Sequence, residues 1–207
     1  MAAPLRVGVL ASGGGTNLQA LLDSVHGAEA LVVAVASDRP DAHALQRARD
    51  AGVDTGVFAL ADHPDRPARD AAIAGWLAER DVELVVLAGY MALLTSPLLR
   101  RFAGRVVNIH PSLLPAFPGI RAIEQALAYG VKVFGVTVHF VEDDGDVDSG
   151  PVLLQRAIEL PDAADPDEVL TQLRPLEHAL LPQAVRLVAS GAVSRDPANP
   201  RRVVIAS

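Results

Sequence analysis

Asn108 and His110 stand two residues apart at the end of an apolar run, Arg105 to Ile109, and Pro111 follows at once. In an extended strand, residues 108 and 110 point to the same side. Asn108 is a neutral hydrogen-bond donor, and His110 is a neutral base or a cationic donor near pH 7. Together they suit stabilisation of the oxyanion that forms when an amine attacks a carbonyl. A histidine bonded to a nearby carbonyl is the plainer reading of His110 alone. A third candidate lies in the acidic run Glu142-Asp143-Asp144-Gly145-Asp146-Val147-Asp148. A solvated loop is the usual meaning of such a run. Asp148, just before Ser149-Gly150-Pro151, could instead orient His110 or relay protons through water. The spacing Asp144, Asp146, Asp148 invites comparison with a calcium loop. That pattern fails, because Ser149 stands where glycine is needed and Gln155 where glutamate is needed.

A second set of residues suits an anion. Ser12-Gly13-Gly14-Gly15-Thr16-Asn17 separates the apolar run Val7 to Ala11 from the helical spacing that starts at Leu18. Glycines let a backbone approach a phosphate, and a helix N-terminus offers unpaired N–H groups at the positive end of its dipole. The dinucleotide pattern G-x-G-x-x-G needs glycine where Leu18 stands. The P-loop needs a lysine in the loop, and the single lysine of the chain is Lys132. A ligand-free tight turn is the alternative, at the entropic cost of three consecutive glycines.

The elements that must position these residues alternate. Strand patterns at Val7–Ala11, Leu31–Ala36, Thr55–Ala59 and Leu84–Ala88 are separated by helical patterns at Leu18–Val25, Ala42–Ala51 and Ala68–Arg80. That order predicts an α/β, Rossmann-like fold, a mostly parallel twisted sheet with helices on both faces. Ligands gather at the carboxyl ends of strands in such sheets, which is where the glycine loop and the Asn-Ile-His run fall. Pro111, Pro115 and Pro118 forbid a regular element after His110. A helix over Ile123–Tyr129 follows, then strands over Val131–Val141 and Pro151–Ile158 with the acidic loop between them, in the manner of a hairpin. Asp165 to Val188 reads as helix, with Pro175 and Pro182 expected to break or kink it. The tail from Ser190 reads as loop, with a last short strand at Val203–Ala206. Nothing marks a linker, so one domain is expected over 1–207, with a core of about 6–188.

The bulk properties narrow the function. The chain has 207 residues, half of them hydrophobic, and is long enough to bury roughly 70% of its unfolded surface. With no cysteine, disulfides, thiolate metal sites and a cysteine nucleophile are excluded. A net charge of −7 without clustered basic residues argues against nucleic-acid binding. The start of the chain lacks the pattern of a secretory signal, and no apolar stretch reaches a membrane span of ~18 residues. The expected address is cytoplasmic. His26, His43 and His63 read as surface residues.

In this order the motifs resemble the phosphoribosylglycinamide formyltransferase family. The resemblance rests on L-A-S-G-G-G-T-N-L-Q-A-L at Leu10–Leu21, V-V-L-A-G-Y-M-A-L-L at Val85–Leu94 and G-R-V-V-N-I-H-P-S-L-L-P-A-F-P-G at Gly104–Gly119. It continues with G-V-T-V-H-F-V at Gly135–Val141, D-S-G-P-V-L-L-Q at Asp148–Gln155 and E-H-A-L-L-P at Glu177–Pro182. The resemblance implies attack of the amino group of glycinamide ribonucleotide on the formyl carbon of 10-formyltetrahydrofolate, as a step of purine biosynthesis, with no metal. It implies that Asn108 and protonated His110 hold the oxyanion and that Asp148 supports His110 and relays the proton; Asp146 is the fallback, since the acidic loop is about two residues longer than usual in the family. For the ribonucleotide it implies Ser12, Gly13, Gly14, Gly15, Thr16 and Asn17 at the phosphate and Glu177 at the ribose or glycinamide, and Arg174, one helical turn earlier, could add charge to the phosphate. For the folate it implies Tyr90, Met91, Ala92, Leu93 and Leu94 with Asn108 and Val141, and Arg66 near the glutamate tail. Ala92 stands where some members carry arginine.

Rival functions fit less well. A methionyl-tRNA formyltransferase is expected to need a further C-terminal domain and a basic RNA surface, and a formyltetrahydrofolate hydrolase an N-terminal regulatory domain. A nicotinamide-dependent oxidoreductase fits the topology, with Asp38 holding a ribose, but Leu18 breaks its glycine pattern. A ligand-binding module without catalysis gives no reason for Asn108, His110 and Asp148 to occur together. Small-molecule substrates are the expected partners, without nucleic acid or membrane, and a homodimer is left open.

Overall fold

The computed structural model describes residues 3–143 and 146–206. Asp144 of the calcium-type spacing lies outside them. Seven strands form the main sheet: β1 (Leu5–Leu10), β2 (Ala30–Ser37), β3 (Asp54–Val57), β4 (Leu84–Leu87), β5 (Val106–His110), β6 (Val133–Phe140) and β7 (Val152–Glu159). Their order is β3-β2-β1-β4-β5-β6-β7. The pairs from β3 to β5 are parallel; β6 and β7 join antiparallel. The mostly parallel α/β sheet expected from the sequence is therefore present. Continuous apolar runs such as Leu84–Leu87, buried throughout, suit strands covered on both faces.

Alternate residues of the strands feed two cores. On one face Val7 and Val9 pack with Leu18 and Leu21 of α1 (Thr16–Ser24), Leu45 of α2 (His43–Asp50) and the apolar stripe of the last long helix. On the other, Leu10 packs with Ile73 and Leu77 of α3 (Arg66–Ala78) and Leu98 of α4 (Ser96–Arg101). The chain moves out from β1 to β2 and β3 on one side, then returns to β4 on the other. The loops after β1 and β4 therefore diverge over a crevice, the usual ligand position in open α/β sheets.

Several boundaries differ from the sequence expectation. Helix α3 starts at Arg66 because the Asp65 side chain caps it, accepting from Ala68 N at 2.8 Å. Helix α4 was not expected. After α5 (Ala122–Tyr129), the final helix α6 (Pro166–Ala189) runs unbroken through Pro175 and Pro182. Each proline removes one backbone donor. The stripe Val169, Leu173, Leu180, Leu181, Ala184 and Val185 is fully buried, and that packing outweighs the lost bonds. The last strand expected at Val203–Ala206 falls within β9, but the rest of the tail is not a loop: β8 (Val193–Asp196) and β9 (Asn199–Ile205) pair antiparallel as a separate hairpin. His26 is not a simple surface residue, since its Nδ1 accepts from Val32 N at 3.1 Å. Among the described residues no helix is long and apolar enough to cross a membrane.

Candidate active site

The register of two strands builds the centre. β5 and β6 pair with Asn108 opposite His139 and His110 opposite Thr137. Asn108 Nδ2 lies 3.2 Å from His139 Nε2 and 3.4 Å from Asp148 Oδ1. Asp148 Oδ1 is also 3.4 Å from His139 Nε2, and Asp148 Oδ2 is 3.4 Å from His110 Nδ1. Asp148 thus stands between two imidazoles and one amide. The structure brings Asn108, His110 and Asp148 together; Asp146 is exposed, without an ion pair to either ring.

Backbone carbonyls fix the rings. His110 Nε2 is 2.9 Å from Phe117 O, and His139 Nδ1 is 2.9 Å from Phe140 O. A carbonyl only accepts, so each of these nitrogens carries a proton. The nitrogen facing Asp148 is then protonated only when its ring is cationic. Neutral His139 accepts from Asn108 Nδ2 at Nε2; cationic His139 donates to Asp148 from the same atom. At 3.4 Å, the contacts of His110 and Asn108 with Asp148 are longer than the usual N–H···O range.

The proline segment that supplies Phe117 O is itself pinned. Thr137 Oγ1 donates to Ser112 O at 2.6 Å and accepts from Leu114 N at 3.1 Å. Gln155 Nε2 donates to Leu114 O at 2.8 Å. The Leu114–Pro115 bond is cis. The segment ends by turning Gly119 N onto Asp148 Oδ2 at 2.7 Å. Burial alone would raise the Asp148 pKa. The hydrogen bond from His139, the field of His110 and the Gly119 N–H together outweigh burial and hold it below the usual carboxylate value.

Beside this centre lies an apolar cavity of about 490 Å³, lined by Tyr90 to Leu94, Leu99, Asn108, His110, Val141 and Asp148 among others. Met91, Leu93 and Val147 are exposed at it. Arg66 is not among its lining residues; it is exposed at the start of α3. The loop carrying Leu93 is held from behind by a buried ion pair, Arg69 with Asp70 at 2.6 Å. Arg69 Nη2 donates to Leu93 O at 3.1 Å, while Thr95 N and Oγ1 donate to Asp70 Oδ2 at 2.6 and 2.7 Å.

The glycine loop lies across the sheet crevice from that cavity. Ser12 joins three strand ends: its N donates to Gly89 O at 3.0 Å, its Oγ donates to Asp38 Oδ1 at 2.6 Å, and Oγ accepts from Met91 N at 2.8 Å. Ser12 is therefore a tie between loops, with its hydroxyl proton already committed, and Asp38 is its partner. Gly15 has φ +70°, and a Cβ there would meet Ala44 at 2.7 Å. Around Gly13 and Gly14 the protein places nothing within 4 Å of such a Cβ. No side chain caps α1, so its first N–H groups remain for a ligand. Asn17 Nδ2 donates to Glu177 Oε2 at 3.1 Å, which joins the loop to α6. Burial raises the Glu177 pKa, opposed by the Asn17 bond and the fields of His178, Arg174 and His110. Arg174 itself is exposed.

Residues 5–185 match the formyl transferase family. The chain belongs to the formyl transferase family. It is 45% identical over 193 residues to phosphoribosylglycinamide formyltransferase of Mycobacterium tuberculosis, covering 93% of this chain and 88% of that protein. The crystal structure of glycinamide ribonucleotide transformylase 1 from Symbiobacterium toebii matches with a TM-score of 0.93 and 47% identity, over 99% of this chain and 95% of that one. The same-named structure from Geobacillus kaustophilus matches at 0.85 and 39%, over 90% and 100% respectively. The family match ends within α6, ahead of the β8–β9 hairpin.

Pattern reading of this formyl transferase overlooks His139, although one signal was present. Thr137 and His139 alternate with Val136, Val138 and Phe140 in a buried strand, and two polar residues on one face of such a strand need partners. The Arg69–Asp70 pair had no such signal, because adjacent opposite charges are common on exposed helices.

Proposed function

We propose that this chain transfers the formyl group of 10-formyltetrahydrofolate to the amino group of glycinamide ribonucleotide in purine biosynthesis. The observation that carries the reading is one wall of polar groups, Asn108, His110 and Asp148, between an apolar cavity and a glycine loop with Glu177 beside it. An apolar slot suits the flat folate ring, and free N–H groups at a helix start suit a phosphate.

In this reading Tyr90 to Leu94 and Val141 hold the folate. Gly13 to Asn17, with Arg174, hold the phosphate, and Glu177 contacts the ribose or glycinamide part. Ser12 acts by holding the loop in shape. The amine nitrogen bonds to the formyl carbon, and the carbonyl electrons move onto oxygen. Asn108 Nδ2 and the protonated Nδ1 of His110 stabilise that oxyanion. The bond from carbon to the folate nitrogen then breaks as the oxyanion collapses. The proton lost by the amine passes to the leaving nitrogen with Asp148 as relay. Asp148 is ionised at neutral pH, consistent with its lowered pKa, and stabilises cationic His110.

A steady-state absorbance assay that follows deformylated folate tests this. Turnover is expected only with glycinamide ribonucleotide present. Release of folate at the same rate without the ribonucleotide would overturn the reading in favour of hydrolysis.

A further inference from the structure

We propose that the C-terminal hairpin braces the wall of the folate cavity, with Arg195 and Arg201 as positioning residues for the segment that carries Asp148. The inference rests on the functional reading above. It concerns the hairpin that begins at Val193.

The hairpin is anchored to the body of the protein. Val193 and Val203 pack against the main core, and Ala206 N donates to Ala192 O at 2.8 Å, closing the hairpin at its base. From there Arg195 reaches the exit of β6. Its guanidinium lies 4.4 Å from the centre of the Phe140 ring, donates to Glu142 Oε1 at 2.9 Å, and donates to Pro200 O of its own hairpin at 3.1 Å. A planar guanidinium can stack and donate in its plane at once; an ammonium cannot. Both contacts fall on groups next to the centre. Phe140 O fixes His139, and Glu142 lines the cavity.

Arg201 holds the other end, with Nη1 donating to Ser149 O at 3.2 Å. The residue before, Asp148, has φ +55°. Aspartate visits this left-handed region more readily than most non-glycine residues, and contacts on both sides of it favour that conformation here. Gly119 N fixes the Asp148 carboxylate, and Arg201 fixes the adjoining carbonyl. From the opposite side, Ser96 and Arg100 of α4 both donate to Asp143 at 2.7 Å. The described ends of the acidic loop are thus held between α4 and the hairpin. Among the described residues, the hydrogen bonds and ion pairs of Arg195 and Arg201 go to Glu142, Ser149 and the hairpin itself, and not to Gly13 to Asn17 or Glu177, so the brace acts on the folate side.

The test uses the full chain with Arg195→Ala, Arg201→Ala, the double variant and Arg195→Lys. We expect the double variant to raise KM for 10-formyltetrahydrofolate about three- to tenfold, as loss of partly exposed ion-pair and cation–π contacts implies. KM for the ribonucleotide and the thermal midpoint should stay near wild type, and Arg195→Lys should not rescue. Unchanged KM for both substrates would overturn the brace. So would a parallel rise in both with a lowered midpoint, which marks the hairpin as general stabilisation. Calorimetric titration with tetrahydrofolate reads the brace without turnover. Weaker binding by the double variant supports it even if formyl transfer itself fails, and equal affinity in both chains overturns it. Absence of binding by wild type overturns both readings.

Discussion

The Gly119 N–H donates to Asp148 Oδ2 at 2.7 Å, and the same carboxylate oxygen faces His110 Nδ1 at 3.4 Å. The backbone thus fixes the carboxylate oxygen that faces the His110 ring. Asp148→Asn keeps the size and removes the charge. We expect turnover to fall about 10²- to 10⁴-fold, the range for a positioned acid–base group. The folded pKa of Asp148 lies below its ordinary 3.8, so its charge adds stability above that value. That stability is lost as pH falls through the lowered folded pKa. The wild type should therefore melt above Asp148→Asn at neutral pH, with the difference shrinking in acid. A difference that persists unchanged at pH 2 to 3 would show that it does not come from the charge.

His110 and His139 both face Asp148, but only His110 lines the cavity. His139 acts through Asn108 and Asp148. His110→Ala should lose about 10² or more in turnover, typical of a missing oxyanion donor. His139→Ala should lose less, because His139 does not line the cavity and touches only Asn108 and Asp148 of the centre. Single-turnover rates check the order. Equal losses in the two variants would remove that division of labour.

The legible parts of the sequence were those where local chemistry and global fold agree. The buried runs of β1, β2 and β4, the glycine loop and the Asn108–His110 pair all state their place in the fold within a few residues. His139 was less legible because its partner is set by β5–β6 register, which no local pattern specifies. Pro175 and Pro182 misled for the opposite reason. Their local preference is clear, yet the buried stripe of α6 outweighs it. The hairpin was obscured by Pro197 and Pro200, which read as loop although they fall at its turn and on an exposed strand.

Two of the loop glycines answer to different constraints. Gly15 is required by the fold, given φ +70° and the 2.7 Å approach of a Cβ to Ala44. Gly14 has open space. Gly15→Ala should lower the melting temperature. Gly14→Ala should leave it near wild type while raising KM for the ribonucleotide, because the added methyl occupies room that the fold leaves free. Denaturation and initial-rate kinetics on the pair separate the two roles. An unchanged KM in Gly14→Ala would argue against the phosphate assignment.

Glu177 is a buried carboxylate whose ionisation works against the fold. Burial raises its pKa above the ordinary 4.5 despite the Asn17 bond. As pH rises past 4.5, the unfolded carboxyl ionises more readily than the folded one, so the folded state loses stability relative to the unfolded. Glu177→Gln keeps an acceptor for Asn17 Nδ2 and carries no charge. It should melt higher than wild type at pH 7, with the gain vanishing below about pH 4, while KM for the ribonucleotide rises. A variant that melts lower at pH 7 would contradict the sign argued here.

Arg69 and Asp70 are both nearly inaccessible, at 2% and 0% exposure, and neither touches the centre. Their effect runs through Leu93 O and the Thr95 N–H and hydroxyl, which set the loop lining the cavity. Asp70→Ala leaves a buried guanidinium uncompensated and two Thr95 donors without their acceptor. Removal of one partner from a buried ion pair costs about 3 to 5 kcal/mol, a large share of the ~5 to 15 kcal/mol that holds a typical domain together. Arg69→Met removes the cation but leaves Asp70 with both Thr95 bonds, so it should cost less. Urea unfolding of the two variants gives the comparison. The loop dependence adds a second readout: Asp70→Ala that still folds should bind formylfolate more weakly, with KM for the ribonucleotide little changed. A loss below about 1 kcal/mol for Asp70→Ala would mean that water or a rearranged Arg69 satisfies the site, and that the pair does not hold the loop.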